Sequence, residues 1–220
     1  MLDGSHPFWA ALVEGVADGT LLTDVWASVL RISMGFLISS ALAVPIGVLM
    51  GSYKAIEAAL EPLIGLIRYM PAVAFIPLTL IWFGTTELQK TCILFIGVFF
   101  QQVLMVMDNV KTVPANLIDV ARALGFRPLA ILVRVVAKSA LPGIVDSLRI
   151  SLGWAWTYLV VAELIGADEG LGFRIQQAQR FVETPKIILG ITVIGLLGLA
   201  FDLAFKKLHA RSFPYLRRET

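Results

Sequence analysis

The chain has 220 residues, of which 58% are hydrophobic and 15% charged, with a formal net charge of +2. A soluble domain is about 45–50% apolar and about 25% charged, so both departures point to a chain solvated by lipid. The small, scattered positive charge argues against a nucleic-acid surface, and the single cysteine, Cys92, excludes an internal disulfide and a cysteine-clustered metal site.

The first two dozen residues carry Asp3, Glu14, Asp18 and Asp24 instead of a positive n-region, so insertion is expected to be driven by internal spans. Residues 1–24 read as an extracytoplasmic lead-in with a half-amphipathic stretch at Phe8-Trp9, Leu12-Val13 and Val16. The two histidines, His6 and His209, stand near opposite ends, which makes a shared metal improbable.

A hydrocarbon core of about 30 Å needs roughly 20 apolar residues in a helix. Five stretches answer to that length. The first covers residues 25–51, with Arg31 near its start, and the second covers 62–83, with Arg68, Pro71 and Pro77. The third covers 91–107, the fourth 150–166 with Glu163, and the fifth 187–205 with Asp202. All are continuously apolar and lack the alternation of a membrane barrel; helices satisfy their own backbone in lipid. The expected fold class is an all-α integral membrane protein.

Lysine and arginine in the connections set orientation. One side receives eleven, at Lys54, Lys111, Arg122, Arg127, Arg134, Lys138 and the tail Lys206, Lys207, Arg211, Arg217 and Arg218. The other receives four, at Lys90, Arg174, Arg180 and Lys186. The eleven-residue side is expected to be cytoplasmic, with the N-terminus outside and the C-terminus inside. The tail, residues 206–220, reads as a flank obeying that rule or as an anchor for anionic lipid.

Residues 108–146 form an expected cytoplasmic loop, too long for a simple turn between helices. Pro114 suits a helix start, Leu117, Ile118, Ala121 and Leu124 make an apolar stripe, and Gly125 suits a helix C-terminus. Such a helix fits a groove in another protein or lies on lipid; the residues alone leave both open. A second apolar stretch, 129–137, is too short to span.

These residues also carry a resemblance. Asp119-Val120-Ala121, three residues, then Gly125 resembles the Glu-Ala-Ala…Gly signature of binding-protein-dependent ABC importer permeases. Leu30-Arg31 to Gly35-Phe36, Pro45-Ile46-Gly47, Ile76-Pro77-Leu78, Trp82-Phe83-Gly84, Ala140-Leu141-Pro142, Ser147-Leu148-Arg149-Ile150, Val161-Ala162-Glu163 and Gly170-Leu171-Gly172 resemble the nitrate, sulfonate, taurine and bicarbonate branch. The likeness runs from about residue 24 to about 207.

The resemblance implies a type I ABC importer permease fold, with about five transmembrane helices and a cytoplasmic coupling helix, in a bacterial inner membrane. It implies a second permease subunit forming a homodimer, two cytosolic ATPase subunits and an extracytoplasmic solute-binding protein. No cofactor is expected in this chain; ATP and Mg would be bound by the ATPases. Asp119, Ala121, Arg122 and Gly125 would form the coupling element, with the small Ala121 permitting close approach to the ATPase. Two departures stand out: Asp119 replaces Glu, and Ala137-Lys138 stand where the branch has Leu-Pro. The family usually has a sixth span ahead of this core.

Candidates for the pathway or gate are Arg68, Met70, Pro71, Trp154, Tyr158 and Glu163. Glu163, flanked by apolar residues, lines a cavity, braces a gate through a basic partner, or holds two helices together. Arg68 attracts an anionic solute, snorkels, or pairs with an acid such as Glu61. Trp154 and Tyr158 share a helix face and line a cavity or pack in the core. Gly47 and Gly51 form a Gly-x-x-x-Gly pair suited to close helix contact. Residues 166–185 are placed to receive a binding protein or form a plain connection with a short helix.

No nucleophile–base–orienter set and no Walker-type phosphate loop is visible, which argues against an intramembrane enzyme and against ATP hydrolysis by this chain. A passive channel, or an ABC permease for a pyrimidine precursor or aromatic acid, are the rival readings. Solute identity is not legible.

Overall fold

The structure is a computed structural model that describes residues 6–214. Asp3, the side chain of His6 and the tail residues Arg217 and Arg218 lie outside the described residues. All regular structure among the described residues is helical. Helix α1 is His6–Ala17, α2 Thr20–Ser52, α3 Lys54–Arg68, α4 Ile76–Phe83, α5 Glu87–Lys111 and α6 Ala115–Ala123. Helix α7 is Pro128–Ile131, α8 Ala137–Leu164, α9 Leu171–Arg180 and α10 Thr184–Ser212.

Among the described residues, four helical runs are long and apolar enough to cross a membrane: Thr20–Ser52, Glu87–Lys111, Pro128–Leu164 and Thr184–Ser212. Lys54–Arg68 with Ala72–Phe83 makes a fifth as a broken pair. Three expectations need correction. The first span begins at Thr20, so the lead-in of residues 1–24 is largely helix α1 followed by the start of α2. The second span is not one helix. Pro71 takes an extended backbone, φ −61° and ψ 125°, and a 3-10 turn at Ala72–Phe75 separates α3 from α4. Proline supplies no N–H to a helical ladder and disfavours helix in the residue before it.

The fourth span is far longer than 150–166. Helix α7 passes through a π-helical turn, Leu132–Val136, into α8, so helix runs from Pro128 to Leu164. Arg134, Lys138, Asp146 and Arg149 hid this run from a hydropathy reading, yet polar side chains on an exposed or interfacial face do not stop a helix. Most of the connection at 108–146 is thus helical.

Chain contacts define two compact units. One comprises Met1–Leu37, Pro71–Gly97 and Gly153–Asp202; the other comprises Ile38–Met70, Val98–Leu152 and Leu203–Thr220.

Within the second unit, α2 and α5 meet at the glycine pair. A Cβ on Gly47 would lie 2.6 Å from Cβ of Val106, and one on Gly51 would lie 2.6 Å from Cβ of Val110. Only glycine allows this approach, the standard way for membrane helices to gain packing where lipid offers no hydrophobic drive. Polar side chains join α5 to α8: Gln102 donates to Ser151 (3.0 Å) and Ser40 (3.1 Å), and Asn109 donates to Ser147 (2.7 Å). Val48, Val106, Val110, Val136 and Ile144 form the apolar core beside them.

In the first unit, Ile76, Ile93 and Ala162 form a buried cluster. Gly35 lies against Leu94, and a Cβ on Gly97 would come within 2.5 Å of the Tyr158 ring. Trp156 packs edge-on to Phe201 at 5.8 Å.

Candidate functional site

Two constellations stand out, one in each unit. In the second unit, α6 starts after Pro114 and ends in a Schellman closure. The Gly125 N–H bonds the Arg122 carbonyl at 2.9 Å and the Phe126 N–H bonds the Ala121 carbonyl at 3.1 Å, with Gly125 at φ 77°. That left-handed residue favours glycine, and the two bonds satisfy carbonyls a helix end leaves free. Ala121 is 5% exposed and packs with Ile131 and Val136, while Ile118 rests on the same cluster. On the outer side, Leu117, Val120 and Leu124 are 42%, 58% and 71% exposed. Asp119 and Arg122 are exposed and form a 3.3 Å pair along the helix.

Ala121 therefore faces inward. Its small side chain lets α6 sit close to this chain's own core, and the outward surface belongs to Leu117, Val120 and Leu124.

In the first unit, a polar network gathers three helices and the turn before α9. Arg31 of α2 is 4% exposed. Its guanidinium donates two bonds to Glu87 (2.6 and 2.8 Å), one to Glu163 (2.9 Å) and one to the Glu169 carbonyl (2.6 Å). Glu163 of α8 is wholly buried and also accepts from the Ser28 hydroxyl (2.7 Å) and the Gly172 N–H (2.8 Å). Lys90 donates to Glu87 at 2.8 Å.

The same network caps α9. The Gly170 N–H bonds Asp24 (2.9 Å), the Leu171 N–H bonds Ser28 (2.9 Å), and the Gly172 N–H bonds Glu163. Arg174 pairs with Asp24 at 2.7 Å. The first amides of a helix have no partner within it and carry partial positive charge, so carboxylates there serve both needs. Gly170 stands at φ 123°, and a Cβ on Gly172 would lie 2.7 Å from the Val160 carbonyl. Both glycines are required by this fit. After α9, Phe181 (71% exposed) and Val182 (82% exposed) form an outward tip, with Val182 at φ 59°. A β-branched residue there is strained.

The sequence candidates are not all brought together. Glu163 braces Arg31, Ser28 and Gly172, and within its own unit bonds none of Pro71, Trp154 and Tyr158. The partner of Arg68 is Tyr69 (3.1 Å to its hydroxyl, 4.9 Å to its ring centre), not Glu61. Met70 is 43% exposed and Pro71 stands in the break after α3. Trp154 is 41% exposed while Tyr158 is half-buried against Gly97. The sequence reading missed Asp24, Ser28, Glu87 and Arg174. Asp24 and Ser28 fall seven and three residues before Arg31, a spacing that puts polar groups on one helix face in an apolar run. Among the described residues, no group of three or more His, Cys, Asp or Glu is arranged to hold a metal ion.

The family described as "Binding-protein-dependent transport system inner membrane component" matches residues 43–213. This chain belongs to that family. It is the permease subunit of an ABC importer, not itself an enzyme, and its partners include an ATPase and a solute-binding protein. It is 35% identical over 202 residues to the taurine transport system permease protein of Escherichia coli, covering 92% of this chain and 74% of that one. It is 35% identical over 189 residues to a putative aliphatic sulfonates transport permease protein of Bacillus subtilis, covering 86% and 68%. A bicarbonate transport system permease protein of Synechococcus elongatus is 30% identical over 198 residues, covering 90% and 70%. Among solved structures, the methionine ABC transporter in an inward-facing form matches with a TM-score of 0.72 at 22% identity, covering 87% of this chain and 97% of that one. That match supports the permease's type I importer fold.

Proposed function

We propose that this permease forms the pathway for a small anionic solute of the taurine, sulfonate or bicarbonate type, by alternating access. Two copies pair as a homodimer, and two ATPase subunits, which hold ATP and Mg, each receive one α6. Asp119 and Arg122 supply polar contacts at that joint, and Gly125 sets where the helix stops. The N-terminus lies outside and the C-terminus in the cytoplasm. Residues 166–185 then face the binding protein, whose ligand selects the solute.

One observation carries the coupling: α6 is anchored by Ile118 and Ala121 yet leaves Leu117, Val120 and Leu124 uncovered in a line. A short amphipathic helix with one face spent internally and another free suits a partner groove. The test is solute uptake and ATPase co-purification in the assembled importer carrying Val120→Glu or Leu124→Glu. Both variants are expected to insert normally and lose uptake and ATPase association. Unimpaired uptake in both would overturn the assignment. The solute itself is tested by measuring which of taurine, an alkanesulfonate or bicarbonate the partner binding protein delivers.

A further inference from the structure

Helix α1 has two faces that differ in kind. Ala11 is buried, Gly15 lies 3.3 Å from Leu21 by its would-be Cβ, and Glu14 bonds Lys186 at 3.3 Å. With Asp18 they border a cleft shared with Arg174 and Lys186. At 100° per residue, Trp9, Val13 and Val16 fall on the opposite side. They are 59%, 65% and 49% exposed.

The level of α1 is fixed by what it touches. Gly19, at φ 72°, ends α1 one residue before α2 begins at Thr20. Lys186, the partner of Glu14, is the third residue of α10. Two spans thus begin where α1 is tied, and a span begins near the boundary between acyl chains and headgroups.

The exposed face of α1 is followed by a similar one on α2: Leu22, Trp26, Leu30 and Met34, all exposed at four-residue steps. Three small residues of α2, Ala27, Ser28 and Gly35, point instead into the protein. Helices pack in membranes through small and polar residues. Ala10, Ala17 and Thr23 are also exposed, but faces dominated by large apolar side chains, with Ala27, Ser28 and Gly35 turned away, have more the composition of a lipid surface than of a second copy. Trp9 and Trp26 are also the residue type enriched where a membrane meets water.

We infer that α1 is an interfacial helix that lays Trp9, Val13 and Val16 into the headgroup–acyl boundary, while its acidic face is held by Lys186. The leaflet, the outer one, rests on the orientation proposed above; the lipid contact does not. The polar face of α1 carries acids, Glu14 and Asp18, that border a cleft with Arg174 and Lys186, so anionic headgroups add nothing to the contact. This sets it apart from basic interfacial helices that seek anionic lipid.

The test uses the full chain, as the purified importer, in vesicles of phosphatidylcholine with and without phosphatidylglycerol. On a Cys92→Ala background, nitroxides are placed at Val13→Cys, Val16→Cys and, on the other face, Asp18→Cys. Collision with oxygen relative to a water-soluble nickel chelate should be several-fold higher at 13 and 16 than at 18, unchanged by phosphatidylglycerol. Low collision with both reagents at 13 and 16 would mean a protein covers them, and preference for nickel would mean water does; either overturns the inference. Dependence on phosphatidylglycerol would overturn its neutral-lipid part. A second measurement keeps the natural cysteine: quenching by brominated lipid in the unaltered chain against Trp9→Phe. A quenchable component lost in Trp9→Phe supports lipid contact, and identical quenching contradicts it.

Discussion

The Arg31 guanidinium and the Glu163 carboxylate meet at 2.9 Å, although 132 residues separate them and neither side chain is more than 5% exposed. Each would be costly alone within a membrane-spanning helix. Together, with Glu87, Ser28 and the amide of Gly172, they leave every strong donor and acceptor around Glu163 matched. The pair therefore ties α2 and α8 to the start of α9.

Breaking one side of a buried pair strands the other, at about 3–5 kcal/mol, whereas removing both is far milder. Glu163→Leu and Arg31→Met are each expected to lower the melting temperature of the detergent-solubilised permease sharply, and the double variant to recover part of that loss. Equal losses in singles and double, measured by fluorescence-detected size exclusion on heating, would contradict this.

Glycine positions should divide by their surroundings. Gly47→Val drives a side chain into Val106 and the Val103 carbonyl, whereas a Cβ at Gly65 meets nothing within 4 Å. Overpacking costs roughly 1–3 kcal/mol. Gly47→Val is expected to lose folded yield, and Gly65→Val to match the parent. The comparison is made on monodisperse protein recovered per cell.

Gly125 should tolerate asparagine better than valine. Its φ of 77° costs a non-glycine residue about 1–2 kcal/mol, and asparagine visits that region more readily. Gly125→Asn is expected to keep more uptake in the assembled importer than Gly125→Val. The reverse order would show that the end of α6 does not depend on this backbone shape.

Val182→Gly relieves the left-handed strain after α9, so a gain of about 1 kcal/mol in stability is expected. The melting temperature of the purified permease reads it. A fall would mean that the exposed Val182 side chain makes a contact worth more than its strain.

The apolar runs at 25–51, 91–107 and 187–205 were legible because lipid solvation leaves a direct mark on composition. Pro114 and Gly125 bracketed α6 because each is tied to a backbone geometry. The continuation from Pro128 to Leu164 was not legible: Arg134, Lys138 and Asp146 lower hydropathy but leave backbone hydrogen bonds intact. The partners of Glu163 were hidden for another reason. Arg31, Ser28 and Gly172 are remote in sequence, and nothing in one chain's spacing says which buried charge meets which. The inward turn of Ala121 was not legible, because smallness suits close approach on either side of a helix.

Counting charge around Arg31 gives an electrical consequence. Arg31 and Lys90 carry two positive charges, and Glu87, Glu163 and Glu169, the last 3.9 Å from the Arg31 guanidinium, carry three negative ones. Moving a net charge through a membrane voltage does work of roughly 2.3 kcal/mol per charge at 100 mV. A cluster left with one negative charge, displaced as one piece, feels that voltage. Any excursion of this part of the permease across the membrane during a transport cycle therefore couples to the resting potential of the cell.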